Sequence, residues 1–215
     1  MKHINYFDLG LGPYPHELEF MVKHVFPSIP NISYNAYGIE AHPSYVNTAK
    51  EIFKNNNNVE IFNFAISNKK DTENLYLQEN QPDGGIGNSI FSSKYNVDKN
   101  KYIKIPSDTF SSFINDNNID LNDSLNILKV NIEGAELYLW EDLKINNIRN
   151  KFQILCGYKD HDIFKVSELK PKYDYYMSLV EELNINLLHF CHYGGQTLAI
   201  NNMKNAINQK LSTNL

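Results

Sequence analysis

The chain has 215 residues, enough for one well-buried domain, and no Gly/Ser/Pro-rich linker divides it, so a single domain over residues 1–215 is expected. Its 20 Lys+Arg against 25 Asp+Glu give a formal charge of -5, which argues against a nucleic-acid partner held by non-specific charge. No apolar run reaches the length of a membrane span and the N-terminal residues lead straight into a predicted strand, so neither a membrane partner nor a signal peptide is expected and a cytoplasmic location is the default.

Residues 4–9 read as a buried strand running into Asp8-Leu9-Gly10-Leu11-Gly12, after which Leu18, Met21, Val22, Val25 and Phe26 recur at helical spacing. Strand, glycine turn and helix is how nucleotide-binding sheets begin. Residues 36–40 place Glu40 at the end of the next strand, at the spacing of a ribose-binding carboxylate. Residues 43–54 suit a helix that lays Ala49, Ile52 and Phe53 on the sheet, and residues 59–64 suit a third strand. This β-α-β-α-β alternation predicts a parallel sheet.

Residues 74–78 and 102–105 read as shorter strands separated by residues 79–101, a loop with Gly84, Gly85 and Gly87 that is long enough to be functional or mobile. A short helix is expected over residues 109–114, with Ser107 or Asp108 near its start. The apolar run of Ile127, Leu128 and Val130 predicts a strand buried on both faces, and it delivers Asn131, Glu133 and Glu136 to its carboxyl end, where open α/β sheets bind ligands. Residues 135–143 should be helical, and residues 152–156 should form a strand ending in Tyr158-Lys159-Asp160-His161-Asp162. A helix over residues 175–183 and strands over 185–189 and 197–200, turning at Gly194-Gly195, complete the expected elements as an antiparallel hairpin. Cys156 and Cys191, in predicted strands without C-x-x-C spacing, read as buried free thiols.

Four blocks carry a family resemblance: Asp8-Leu9-Gly10, Glu40-Ala41-His42-Pro43, Ala65-Ile66-Ser67, and Lys129-Val130-Asn131-Ile132-Glu133-Gly134-Ala135-Glu136. In this order they resemble the FkbM-type family of S-adenosylmethionine-dependent methyltransferases, over about residues 7–143. Asn131 stands where that family carries an Asp, and a later glycine expected near Tyr14 is missing. The resemblance implies an α/β, Rossmann-like class I methyltransferase fold: a mostly parallel sheet with helices on both faces and a closing antiparallel hairpin. It also implies S-adenosylmethionine as cofactor and O-methylation of a hydroxyl on a sugar, glycan precursor, nucleotide-linked sugar or secondary metabolite. The oligomeric state is left open.

The cofactor is expected against Asp8, Gly10, Leu11 and Gly12, with the turn's N–H groups on its carboxylate; Glu40 takes the ribose hydroxyls, flanked by Ala41 and His42. Asn63, Ala65 and Ile66 are expected to border the adenine, although each suits an ordinary strand end as well. Asn131, which cannot take a proton, and Glu133, a base or a helix cap, are expected beside the transferred methyl. His161, flanked by two acids, suits a general base or a solvated loop. Asp160, His161 and Glu133 lack the tight spacing of a metal site, so no metal is expected.

Lys94, Lys99, Lys101 and Lys104 read as a solvated face or, less simply, as an attractor for a phosphorylated substrate, while His189, His192, Tyr173, Tyr175 and Tyr176 read as packing groups. An NAD-dependent oxidoreductase would want a third glycine where this chain has Pro15, and Pro13 and Pro15 each remove an N–H from the turn. A non-catalytic binding module on the same fold is the other alternative.

Overall fold

The computed structural model describes residues 2–81, 85–157, 162–190 and 196–213. Strands β1 (Lys2–Leu9), β2 (Ile32–Glu40), β3 (Val59–Asn63), β7 (Ser124–Val130), β8 (Phe152–Gly157) and β9 (Leu188–His189) form a six-stranded sheet in the order β3-β2-β1-β7-β8-β9. Every pairing in it is parallel. The chain winds outward from β1 to β3, then returns to the other side of β1 and winds outward again. The order therefore reverses between β1 and β7, and their carboxyl ends flank the topological switch point.

Helices cover both faces, which is why the central strands read as continuous apolar runs. Phe7, Leu9, Leu128 and Val130 pack on one side with α3 (Phe110–Asp116), α4 (Glu136–Ile145) and α5 (Tyr173–Glu182). Ile4, Tyr6 and Ile127 pack on the other with α1 (His16–Phe20), α2 (Pro43–Phe53) and α6 (Gln196–Thr213). The helical run expected after the glycine turn is present, with its second half, Met21–Val25, widened to a π-helical turn. The expected α3 starts from Thr109, whose hydroxyl accepts the Ser112 amide hydrogen at 3.1 Å, rather than from Ser107 or Asp108.

A second, three-stranded sheet joins β4 (Ala65–Ile66), β6 (Val97–Asp108) and β5 (Asp71–Gln78), with β5 antiparallel to β6. The expected short strands are the middles of β5 and β6, and residues 97–101, expected as loop, belong to β6. Tyr76 and Ser89 form an isolated bridge, so the described part of the intervening segment is tied to the end of β5.

The closing antiparallel hairpin is not formed by the described residues. β9 has two residues and pairs parallel to β8 through Cys156–Leu188 and Gly157–His189, while residues 197–200 lie in α6. Thr197, Leu198 and Ile200 suit a strand locally, but Ala199, Met203 and Ile207 recur every four residues and are all buried, so one helical stripe closes the face. Gly194, Gly195, Cys191 and His192 lie outside the described residues. Of the groups read as packing, Tyr176 is buried whereas Tyr175 and His189 are exposed. Among the described residues no helix is long and apolar enough to cross a membrane.

The helical stripe is testable by urea unfolding. Met203→Ala removes a side chain with 0% exposure and should cost about 2–5 kcal/mol, whereas Leu198→Ala, at 66% exposure, should stay within about 0.5 kcal/mol. Equal losses would contradict this orientation of α6.

Candidate functional site

At the switch point the sheet carries a buried ion pair. Lys129, projecting from β7, places its Nζ 2.7 Å from Asp8 Oδ1, both side chains being 1% exposed. The same ammonium donates to the Gly10 carbonyl at 2.8 Å, and the Tyr6 hydroxyl donates to Asp8 Oδ2 at 3.2 Å. Burial pushes the Asp8 carboxyl up to about 6 against the pull of Lys129. Burial also works against the Lys129 ammonium, yet Asp8 and Glu17 hold it above the usual lysine value.

The chain can turn here because residue 10 lacks a side chain. Gly10 has φ +84°, and a Cβ on it would lie 1.8 Å from the Asn131 carbonyl oxygen. The Asn131 amide donates to the Leu9 carbonyl at 3.0 Å, so the carboxyl ends of β1 and β7 stay in contact beyond the sheet.

Glu40 closes the turn from the other side. Its Oε2 accepts the Gly12 amide hydrogen at 2.9 Å and its Oε1 that of His42 at 2.7 Å. Burial pushes this carboxyl upward while those amides pull against it. The Leu11 amide also acts on this carboxylate; a carboxylate oxygen can accept more than one hydrogen bond, and Glu40 lines a cavity. Asn63 does not line the cavity: its side-chain amide donates to the carbonyls of Glu40 and Ala41 at 3.0 and 2.9 Å, bracing the β2–α2 junction. His42 is buried, stacked on Tyr45 at 4.2 Å and within 2.7 Å of Ser44 Oγ, and it is Tyr45 that reaches the cavity wall.

The cavity has a volume of about 420 Å³. Gly10, Leu11 and Gly12 form one wall with Glu40 and Ala41, Ala65 and Ile66 a second, and Asn131 and Glu133 a third. Asp8, expected as a ligand contact, instead sits beneath the turn in its pair with Lys129, outside the lining.

Beyond Asn131 the backbone is left-handed at Glu133, φ +57°, and at Gly134, φ +107°. The Glu136 carboxylate holds this bend by accepting the amide hydrogens of Ile132 and Gly134 at 2.9 and 2.8 Å, so Glu136 serves structure, as its helical position implies. The segment after β5 supplies the last wall. Ser89 Oγ donates to the Glu133 carbonyl at 2.8 Å, and Lys94 Nζ lies 2.5 Å from Glu133 Oε2 while donating to the Gly87 carbonyl at 2.7 Å. Lys94 is thus not part of a solvated face: its side chain is 1% exposed, unlike the exposed Lys99 and Lys104.

The sequence reading of Tyr158, Asp160 and His161 falls outside the described residues. Among the described residues no cluster of three or more His, Cys, Asp or Glu is arranged to hold a metal. Tyr45, Phe64 and Lys165 join the lining without having been expected there, as do Tyr14, His16 and Glu17. Glu17 left a signal, since Glu17, Met21 and Val25 share one buried face at spacing four.

Residues 30–155, from before β2 into β8, match the family model of the methyltransferase FkbM domain. The match includes Glu40 and the Asn131–Glu136 block and begins after the glycine turn. No curated protein and no solved structure matches the chain significantly.

Removing Lys129 leaves a buried carboxylate without its cation, so Lys129→Met should cost about 3–5 kcal/mol in urea unfolding at neutral pH. Adding Asp8→Asn should return part of that loss. A double variant no more stable than Lys129→Met alone would show that the two groups are not energetically joined.

Proposed function

Because this chain belongs to the FkbM methyltransferase family, its match covering more than half of the sequence, we propose that the cavity binds S-adenosylmethionine and that the protein methylates a hydroxyl of a small acceptor. The observation that carries this reading is Glu40. A buried carboxylate at the end of β2, with both oxygens already aligned by the Gly12 and His42 amides, faces the cavity at the switch point, where vicinal ribose hydroxyls need a pair of acceptors. The rest of the donor set suits the same ligand. Ile39, Phe64 and Ile66 offer apolar surface for an adenine face, and the volume falls within the range of small-molecule sites.

The cofactor, when bound, supplies an electrophilic methyl group on a sulfonium. The chain's own contribution is placement, since orientation of two reactants can supply roughly 7–11 kcal/mol of a barrier. Asn131, on the wall at the end of β7, orients by hydrogen bonding and accepts no proton. Glu133, held by Lys94 and by the Ser89 contact to its carbonyl, orients the acceptor rather than deprotonating it. His161 is the proposed base: it follows β8 in sequence, and Gly157 at the end of β8 pairs with Val130, next to Asn131. A sugar or nucleotide-linked sugar is the proposed acceptor class, supported by the family to which the chain belongs and by the polar groups Ser89, Asn131 and Glu133 on one side of the cavity.

Calorimetry with S-adenosylhomocysteine should give binding by the wild type and a loss of about ten- to hundredfold in Glu40→Gln, with NAD bound by neither. Tight NAD binding without S-adenosylhomocysteine binding would sink this reading. With an acceptor in hand, His161→Ala should lower turnover by roughly 10²-fold or more at unchanged S-adenosylhomocysteine affinity, and a chelator should leave wild-type turnover intact. Wild-type turnover in the His161 variant, or a loss restored by Mg²⁺, would replace that part of the mechanism.

A further inference from the structure

Among the described residues that line the cavity, the exposed ones are Pro13, Tyr14 and Ile86, and none of them carries a charge. Tyr14 is 38% and Ile86 70% exposed, so both stand at the opening, one on the glycine turn and the other on the segment after β5. The ionisable lining residues lie deeper: Glu17, Glu40 and Tyr45 are buried, and His16, Glu133 and Lys165 are only partly exposed. A single apolar side chain on a surface needs no explanation. Here the rim of one opening is built from apolar and aromatic side chains, while the interior holds the polar groups Ser89, Asn131 and Glu133. Tyr14 is also fixed in place. Its hydroxyl donates to Glu19 Oε2 at 2.8 Å, Lys23 pairs with the same carboxylate, and its ring centroid lies 4.4 Å from that of His16. With the hydroxyl committed to Glu19, Tyr14 offers a ligand its ring, and little side-chain freedom remains to be lost when that ring is covered. Adenine does not account for the rim, because the apolar surface that suits it, at Ile39 and Ile66, is buried.

We infer that the rim receives an apolar group carried by the acceptor, with Tyr14 and Ile86 as the residues that select for it. The acceptor is then a glycoside whose sugar hydroxyl enters the cavity and whose aryl or alkyl aglycone stays at the opening. This rests on the reading of the cavity as an S-adenosylmethionine site with a sugar acceptor. It narrows that class, favouring a sugar joined to an apolar group over one joined to a charged diphosphate, since no exposed residue of the lining is cationic. Covering the rim removes apolar area from water on both partners, which favours the apolar aglycone in proportion to the area covered.

Calorimetry on the protein saturated with S-adenosylhomocysteine tests this, with matched phenyl and methyl glycosides of glucose, galactose and mannose and with UDP-glucose as probes. In at least one matched pair the phenyl glycoside should bind at least about tenfold more tightly than the methyl glycoside. Tyr14→Ala and Ile86→Ser alter exposed side chains and should fold, which thermal unfolding checks. Each should cut the preference to about threefold or less while S-adenosylhomocysteine affinity stays within about twofold of wild type. Equal binding within every pair, or binding of none of the glycosides, overturns the inference. A preference that survives either substitution overturns it too, as does UDP-glucose binding more tightly than every phenyl glycoside. S-adenosylhomocysteine weakened as much as the phenyl glycoside in Tyr14→Ala would place Tyr14 at the cofactor and overturn it while leaving the cavity reading standing. A wild type that does not bind S-adenosylhomocysteine overturns the cavity reading itself, and this inference with it.

Discussion

An ammonium buried to 1% exposure has lost its water, and Lys129 is tolerable only because β7 carries it to a carboxylate and a carbonyl at once. That constraint sets the geometry of the cavity. Asn131 follows Lys129 by two positions, so fixing the ammonium against Asp8 and Gly10 also fixes how the polar end of β7 meets the turn. The turn can accept this contact because Gly10 offers no Cβ to the Asn131 carbonyl. Glu40 completes the arrangement from β2, reaching Gly12 while the Lys129 contact reaches Gly10. The loop of residues 10–15 is thereby held from both neighbouring strands, before any ligand arrives.

The acids of this site divide by what surrounds them rather than by residue type. Asp8 is an internal counter-ion, Glu136 replaces missing hydrogen-bond partners in a left-handed bend, and Glu40 does structural and cavity-facing work with the same two oxygens. Glu133 is shaped by the segment after β5, through Lys94 on its carboxylate and Ser89 on its carbonyl. Backbone held at positive φ on Glu133 carries a local conformational cost, and these contacts, with Glu136, over-determine it.

Much of the fold was legible because its strongest signals are local. The runs in β1, β7 and β8 report burial on both faces, and the glycine turn and Glu40 fall at strand ends where the alternation of elements puts a crevice. What was not legible was non-local or ambiguous at short range. Lys94 reads as a surface charge until Glu133, distant in sequence, is placed beside it. Asp8 reads as a ligand contact until Lys129 is found facing it from another strand. Asn63 was expected at a ligand edge, but its amide completes two carbonyls of the neighbouring junction. Residues 197–200 are too short a stretch to separate period two from period 3.6, and the longer stripe through Met203 and Ile207 decides for helix. Glu17 was readable in principle, as an acid on an otherwise apolar helical face.

The cavity is assembled from two sheets whose interiors meet: Ile66 of β4 and Phe91 lie in the core beside β1 and β7, and Ile90 packs against that core and against the small one. The glycine turn, Glu40 and Asn131 belong to the six-stranded sheet, whereas the wall around Ser89 follows β5, whose own small core is Ala65, Leu75 and Ile105. That wall meets Glu133 through Ser89 and Lys94, and the segment after β8 through the Tyr95 amide on the Lys165 carbonyl and the Ser93 hydroxyl on the Glu168 carboxylate. Such a wall has a fixed part, buried at Phe91 and Lys94, and an exposed part at Ile86, whose chemistry can be exchanged, in evolution or by grafting, with little disturbance to the parallel sheet. One scaffold can then be refitted to acceptors of different size by rewriting a single segment between two strands.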